Sequence, residues 1–182
     1  DETGRRYIDW AMSLRSVIVG HANRSIDVAV TKAIRSGVNL ARPVPEEFQL
    51  AERLVRLIPS AEMVKFGKNG SDATAGAVRL ARAATGRDII LRSTVDPFLG
   101  VGDWFIGSTV MNRGVPLPVQ QLTKSFQHND LSSLEDAFRS HPGQVAAIVI
   151  EPAPSIPPLP GYLQGVRELA NSHGALLVFD ET

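Results

Sequence analysis

The most constraining part of the sequence is its last third, where Gln144 to Ile150 (QVAAIVI) and Ala175 to Phe179 (ALLVF) are apolar on both faces. Such strands survive only where both faces are covered, as in a parallel sheet with helices on either side. Between them, Gly161 to Ser172 has the apolar spacing of an amphipathic helix, and Gly174 follows as a stop. Strand, helix and strand in this order predict a right-handed βαβ unit. The fold class expected is α/β.

The rest of the chain extends that pattern. Arg24 to Arg35 sets Ile26, Val30, Ala33 and Ile34 on one helical face before Gly37. A second helix is expected from Pro45 or Glu46 to Ile58, with Glu46 and Glu47 at the positive end of its dipole and Pro59 as its stop. Val38 to Val44 has no period and reads as an exposed loop. Glu62 to Phe66 reads as a short strand. From Ser71 a helix with Ala73, Ala77, Leu80, Ala81 and Ala84 on one side runs to Gly86. Asp88 to Leu91 is a buried strand, and Ser93 to Gly114 an ordered loop with room for a short helix. Asn129 or Asp130 caps a further helix through Phe138. The domain expectation is an N-terminal segment with a contact loop over 1–45 and a partial large domain over 46–182.

Composition removes several function classes. With 19 basic and 19 acidic side chains the chain carries no net charge, and its charges are scattered, which argues against a general nucleic-acid binder. There is no cysteine, so disulfides, thiolate metal sites and cysteine nucleophiles are excluded. His128, His141 and His173 do not stand at ligand spacing with carboxylates, and no metal site is expected. No apolar run approaches the roughly 20 residues of a membrane helix, so no membrane association and a cytoplasmic location are expected. The chain opens on a charged turn and closes on LLVFDET, where a βα loop should begin, and so reads as a segment of a longer one.

In an open parallel sheet ligands bind beyond the carboxyl ends of the strands. Two places there carry chemistry. Lys68-Asn69-Gly70-Ser71-Asp72 is a turn into a helix N-terminus, where free N–H groups, a hydroxyl and the helix dipole suit a phosphate, although the order of residues is not a Walker A loop and Ser71 serves equally as a plain cap. Asp180 follows an apolar strand directly, and a carboxylate there needs a partner, either a cation, a metal or a cofactor, with a cap on the next helix or a pair with an arginine as the plainer alternative. Glu151, followed by Pro152, repeats that logic on the neighbouring strand, with an arginine partner such as Arg15 or Arg42 as the plainer alternative. Trp104 and Phe105 serve either as ligand-stacking rings or as loop anchors.

Five segments taken together resemble the class III aminotransferases among the fold type I pyridoxal-phosphate (PLP) enzymes, especially the branch of glutamate-1-semialdehyde 2,1-aminomutase. They are Tyr7-Ile8-Asp9-Trp10, Gly20-His21-Ala22, Glu62 to Phe66, Asn69 to Ala73, and Gly174 to Glu181. The resemblance implies the large domain of that fold, mostly parallel sheet flanked by helices and incomplete in this chain. It implies PLP as cofactor, with Asn69, Gly70 and Ser71 at its phosphate and Asp180 beside its pyridine nitrogen. A carboxylate in that position keeps the nitrogen protonated, so that the ring draws electrons from the substrate's α-carbon.

The resemblance has departures. Where the family has an aromatic-His-Gly segment, this chain has Asp96-Pro97-Phe98-Leu99-Gly100, and Phe98 is the candidate ring that stacks on the cofactor. The run after Glu151-Pro152 is shortened and proline-rich, so the substrate pocket is expected to differ from that of the mutase, and Glu151 is a substrate-side candidate. Arg15 stands where the family has a small residue near the substrate entrance, and is a candidate for an acidic substrate group, with a plain surface arginine as the alternative. The family's Schiff-base lysine lies beyond Thr182. The implied activity is transfer of an amino group between an amino donor and an aldehyde or ketone, with an aminomutase or a non-catalytic binding or assembly domain as alternatives. A homodimer is implied, with Gly37 to Val44 reaching the neighbouring active site.

Overall fold

A computed structural model describes all 182 residues, which form two compact units, 1–65 and 66–182. The first holds two helices. α1, Arg24–Arg35, is capped by Asn23, whose side chain accepts from the N–H groups of Ser25 and Ile26. α2, Pro45–Leu57, starts on a proline, and the Glu47 carboxylate turns back to accept from Val44 N at 3.1 Å. Neither helix buries a residue, so the apolar faces read from the sequence are open in this chain, and 38–44 is an exposed loop as expected. Glu62 to Phe66 is not a strand: no ladder forms there. A strand needs a neighbour for its N–H and C=O groups, a demand that apolar spacing alone does not reveal.

The second unit is a four-stranded, wholly parallel sheet between two helical layers. The strands are β1 (Ile89–Ser93), β2 (Thr123–Phe126), β3 (Val145–Ile150) and β4 (Leu176–Phe179), in spatial order β2-β1-β3-β4. α3 (Gly70–Thr85) precedes β1, the short α4 (Asp103–Ile106) and α5 (Leu117–Gln120) join β1 to β2, α6 (Leu131–Ser140) joins β2 to β3, and α7 (Tyr162–Ser172) joins β3 to β4. Alternation along the strands divides the core. Ile89, Leu91, Ile148 and Ile150 pack with Leu134, Phe138 and Val166 of α6 and α7. Ile90, Ala147 and Val149 pack with Val78 and Ala81 of α3 and with Trp104 and Phe105 of α4.

The limits of α6, α7, β3 and β4 fall within two residues of the sequence reading, and Asp130 caps α6 by accepting from Ser133 N at 3.0 Å. Three features differ. β2 is too short and too polar, at TKSF, to stand out from its surroundings, and forms because β1 offers it a complete ladder. The buried side of α3 is Thr74, Val78 and Ala81, while Leu80 is 69% exposed. β4 is half-open, with Leu176 and Phe179 each 42% exposed, because in this chain it is an edge strand with β3 as its only neighbour.

Leu134 has no exposed surface and sits at the centre of the α6 and α7 layer. Leu134→Ala should cost about 2–5 kcal/mol, the usual range for a buried leucine that leaves a cavity. The check is a fall in the urea midpoint with the slope of unfolding unchanged.

Candidate functional site

All four strands run the same way, so their carboxyl ends share one edge of the sheet. From β1 the chain passes to β2 on one side, then returns past β1 to β3 on the other, which places a change of direction between β1 and β3. Loops part at such a point and leave a crevice for a ligand. The loops that begin there carry Asp96 and Phe98 after β1, Glu151 after β3 and Asp180 after β4.

α3 begins at the same edge. Asn69 is its N-cap, in extended conformation, and its side-chain oxygen accepts from Asp72 N at 3.0 Å. Gly70 and Ser71 are the first helical residues, so their N–H groups have no carbonyl one turn earlier to bond and stand at the positive end of a 16-residue helix. The loop after β1 closes against this turn. Ser71 Oγ accepts from Val101 N at 3.2 Å, and Thr74 Oγ1 donates to Leu99 O at 2.7 Å. Gly100 has φ +149°, and a Cβ there would stand 2.9 Å from Thr74 Oγ1, so only glycine fits the junction.

Asp180 is held in line with β3. Its N–H donates to Ile150 O at 2.9 Å, which continues the ladder beyond β4, and its carboxylate accepts from Thr182 N at 3.0 Å. It is half-buried rather than enclosed, because β4 is open on one side. Thr182 in turn lies over α3: a Cβ on Gly70 would come 3.6 Å from its hydroxyl. The carboxylate segment and the anion-suited turn are therefore neighbours. Phe98, 53% exposed, packs edge-on against Phe105 with ring centres 6.0 Å apart, which leaves much of its ring open.

Asn69, Gly70, Ser71, Phe98, Asp180 and Glu151 thus all lie at the carboxyl edge of the second unit. Arg15 belongs to the first unit, where it is exposed with φ 69°. Two further residues at this edge are not marked by the sequence as parts of a site. Asn129, with φ 60°, donates to Pro157 O at 3.0 Å and accepts from Leu159 N at 2.8 Å, which pins the proline-rich segment before α7. Asp96 is 4% exposed and accepts from Glu151 N at 3.3 Å. The signal for Asp96 is present in the sequence: Asp96-Pro97 after β1 repeats Glu151-Pro152 after β3.

The model of one family, aminotransferase class III, matches residues 1–182. The chain belongs to the class III aminotransferases. Among curated relatives, a glutamate-1-semialdehyde 2,1-aminomutase from Roseiflexus castenholzii is 37% identical, in a match that takes in all of this chain and 44% of that protein. Among solved structures, an omega-transaminase from Sphaerobacter thermophilus superposes with a TM-score of 0.86 at 30% identity, over 95% of this chain and 44% of that one. The FumI protein of Sphingopyxis sp. MTA144, solved in its PLP internal aldimine form, gives a TM-score of 0.88 at 29% identity over 100% of this chain and 44% of that one. This class III aminotransferase chain thus spans less than half the length of the relatives it matches, and its fold is that of the fold type I large domain. Its described helices include none long and apolar enough to cross a membrane.

Proposed function

We propose that the whole protein is a PLP-dependent transaminase that moves an amino group between a small amino donor and an aldehyde or ketone acceptor. The observation that carries this reading is the adjacency of an open helix N-terminus at Gly70-Ser71 and the Asp180 carboxylate at one sheet edge, in a chain of this family. The donor set fits PLP. The free N–H groups of Gly70 and Ser71 and the Ser71 hydroxyl suit the phosphate, which the dipole of α3 also attracts. Asp180 suits a ring nitrogen that must keep its proton, and the open face of Phe98 suits a flat ring. When bound, the cofactor supplies an aldehyde to receive the amino group and a ring that takes up electrons from the substrate's α-carbon.

The chain's own residues divide the remaining work. The α3 turn anchors, Asp180 holds the proton at the ring nitrogen, and the loop from Phe98 to Val101, closed on Ser71, limits the entry of water. Glu151 and Arg15 act on the substrate, Arg15 by offering its fork of donors to an acidic group. Loss of affinity for anionic but not neutral acceptors in Arg15→Ala, by about tenfold in KM, is the expected result; KM values unchanged from the wild type for both classes would remove Arg15 from the site. The 37% identity to an aminomutase favours one second reading, transfer within a single substrate, which would use the same cofactor residues. A homodimer is part of the proposal. The apolar face of α1, with Ile26, Val30 and Ile34 about half exposed, and the loop 37–44 support it.

The test is an absorbance spectrum of the whole protein purified with PLP, followed by borohydride and peptide mapping. A visible-edge band, trapped on one lysine outside residues 1–182, supports the reading. A cofactor removed by dialysis, with no trapped lysine, would instead support a binding or assembly domain.

A further inference from the structure

We propose that Asp96 is a positioning residue that locks the loop after β1, which carries Phe98, to the chain leaving β3 at Glu151. The lock spans the point where the connections of the sheet change direction. Its Oδ1 accepts from Glu151 N at 3.3 Å, while its Oδ2 is buried without a hydrogen-bond partner. Two residues later stands Phe98, and Leu99 and Val101 are bonded to Thr74 and Ser71 in the first two turns of α3. Asp96 therefore decides whether the segment between β1 and α4 has one fixed path across the site.

The surroundings favour the neutral acid. The charged and titratable groups that face Asp96 are Arg92 on β1, Glu151 after β3 and Tyr162 at the start of α7; Asp130, the cap of α6, faces Tyr162 in turn. Arg92 is occupied elsewhere: it donates to Ser93 O, Ser108 O and Ser108 Oγ, and lies 5.3 Å over the Phe105 ring. Glu151 adds a like charge. An ionised Asp96 would thus hold one buried oxygen with no donor to receive it, which is costly in a dry setting. Burial first, reinforced by the Glu151 charge and partly opposed by the backbone N–H groups of Glu151 and Ser93 and by the Arg92 charge, pushes its carboxyl up to about 6. Because the value in the closed fold is raised, protonation stabilises the lock. The stabilisation is complete below the ordinary carboxylate range and is lost as pH rises through about 6.

The lock itself needs no cofactor; only its consequence for PLP affinity rests on the function proposed above. The test is hydrogen exchange in the whole protein, read on peptides covering 94–102 at pH 5 and pH 8 and normalised to the chemical exchange rate. In the wild type the loop should open about tenfold more readily at pH 8, the ratio that a carboxyl titrating near 6 when closed and near 4 when open would produce. Asp96→Asn keeps the acceptor and places a neutral donor at the unpartnered position, so its exchange should change less than twofold between the two pH values. Asp96→Ala should exchange fast at both. The same pH response in wild type and Asp96→Asn would overturn the proposal, as would an Asn variant as open as the Ala variant.

PLP titration of the same samples separates the two readings. If the wild type holds PLP with an affinity that falls relative to Asp96→Asn as pH rises, the lock serves the cofactor. If no variant binds PLP, the cofactor reading fails, while the exchange data still decide the role of Asp96.

Discussion

Asp180→Asn should lower the rate of amino-group transfer by roughly 10²–10³, the loss typical when one preorganised charge is removed from a reacting centre, with the fold and most of the cofactor content kept. The backbone at this position does not depend on the side chain, because Asp180 N donates to Ile150 O as an extension of the β3–β4 ladder. The one bond made by the carboxylate within the chain, from Thr182 N, can be received equally by an amide oxygen. What asparagine lacks is negative charge. In the role proposed for residue 180, beside the ring nitrogen, asparagine would no longer hold a proton there, and the substrate's α-carbon should give up its proton more slowly. The measurement is a single-turnover reaction with an amino donor in the whole protein, paired with the absorbance of bound cofactor. A normal rate in a fully loaded variant would show that Asp180 caps Thr182 and does nothing further.

Gly100→Ala should reduce PLP affinity by more than tenfold through strain rather than through any lost contact. At φ +149° an alanine is confined to backbone space that L-residues rarely adopt, a cost of about 1–3 kcal/mol. Its Cβ would also press to 2.9 Å from Thr74 Oγ1, the hydroxyl that holds Leu99 O against α3. Thr74 belongs to the same first turns of α3 as Ser71, so relief of the clash moves the loop, the turn or both. Equilibrium dialysis of PLP against wild type and variant, with circular dichroism to verify folding, checks this. Equal affinity in a folded variant would mean that the loop after β1 moves independently of the phosphate turn.

These two residues illustrate different degrees of legibility. Asp180 was accessible to sequence reading because an apolar run that ends on a carboxylate is visible in one dimension. Gly100 was accessible only as one glycine in a glycine-containing loop, since its role depends on how closely Thr74 and Ser71 approach from a helix 25 to 30 residues earlier. The pair of Asp96 and Glu151 lies between these extremes. Both sit before a proline after an apolar strand, yet that they share a hydrogen bond depends on β1 and β3 being adjacent although β2 lies between them in the chain.

The amino-acid sequence alone was enough to establish the α/β class and the limits of α1, α2, α6, α7, β3 and β4 to within a residue or two, and it marked the turn at 68–72 and Asp180 as the candidate site segments. Local features carry that information: period, caps and stops act over a few residues. It took the folded chain to show that TKSF is a strand and Glu62 to Phe66 is not, that Thr74 is buried while Leu80 is exposed, and that Asp96 is buried against Glu151. Each of these depends on a partner distant in sequence. A ladder, a packed face or a buried acceptor exists only once the strand order β2-β1-β3-β4 has brought that partner alongside.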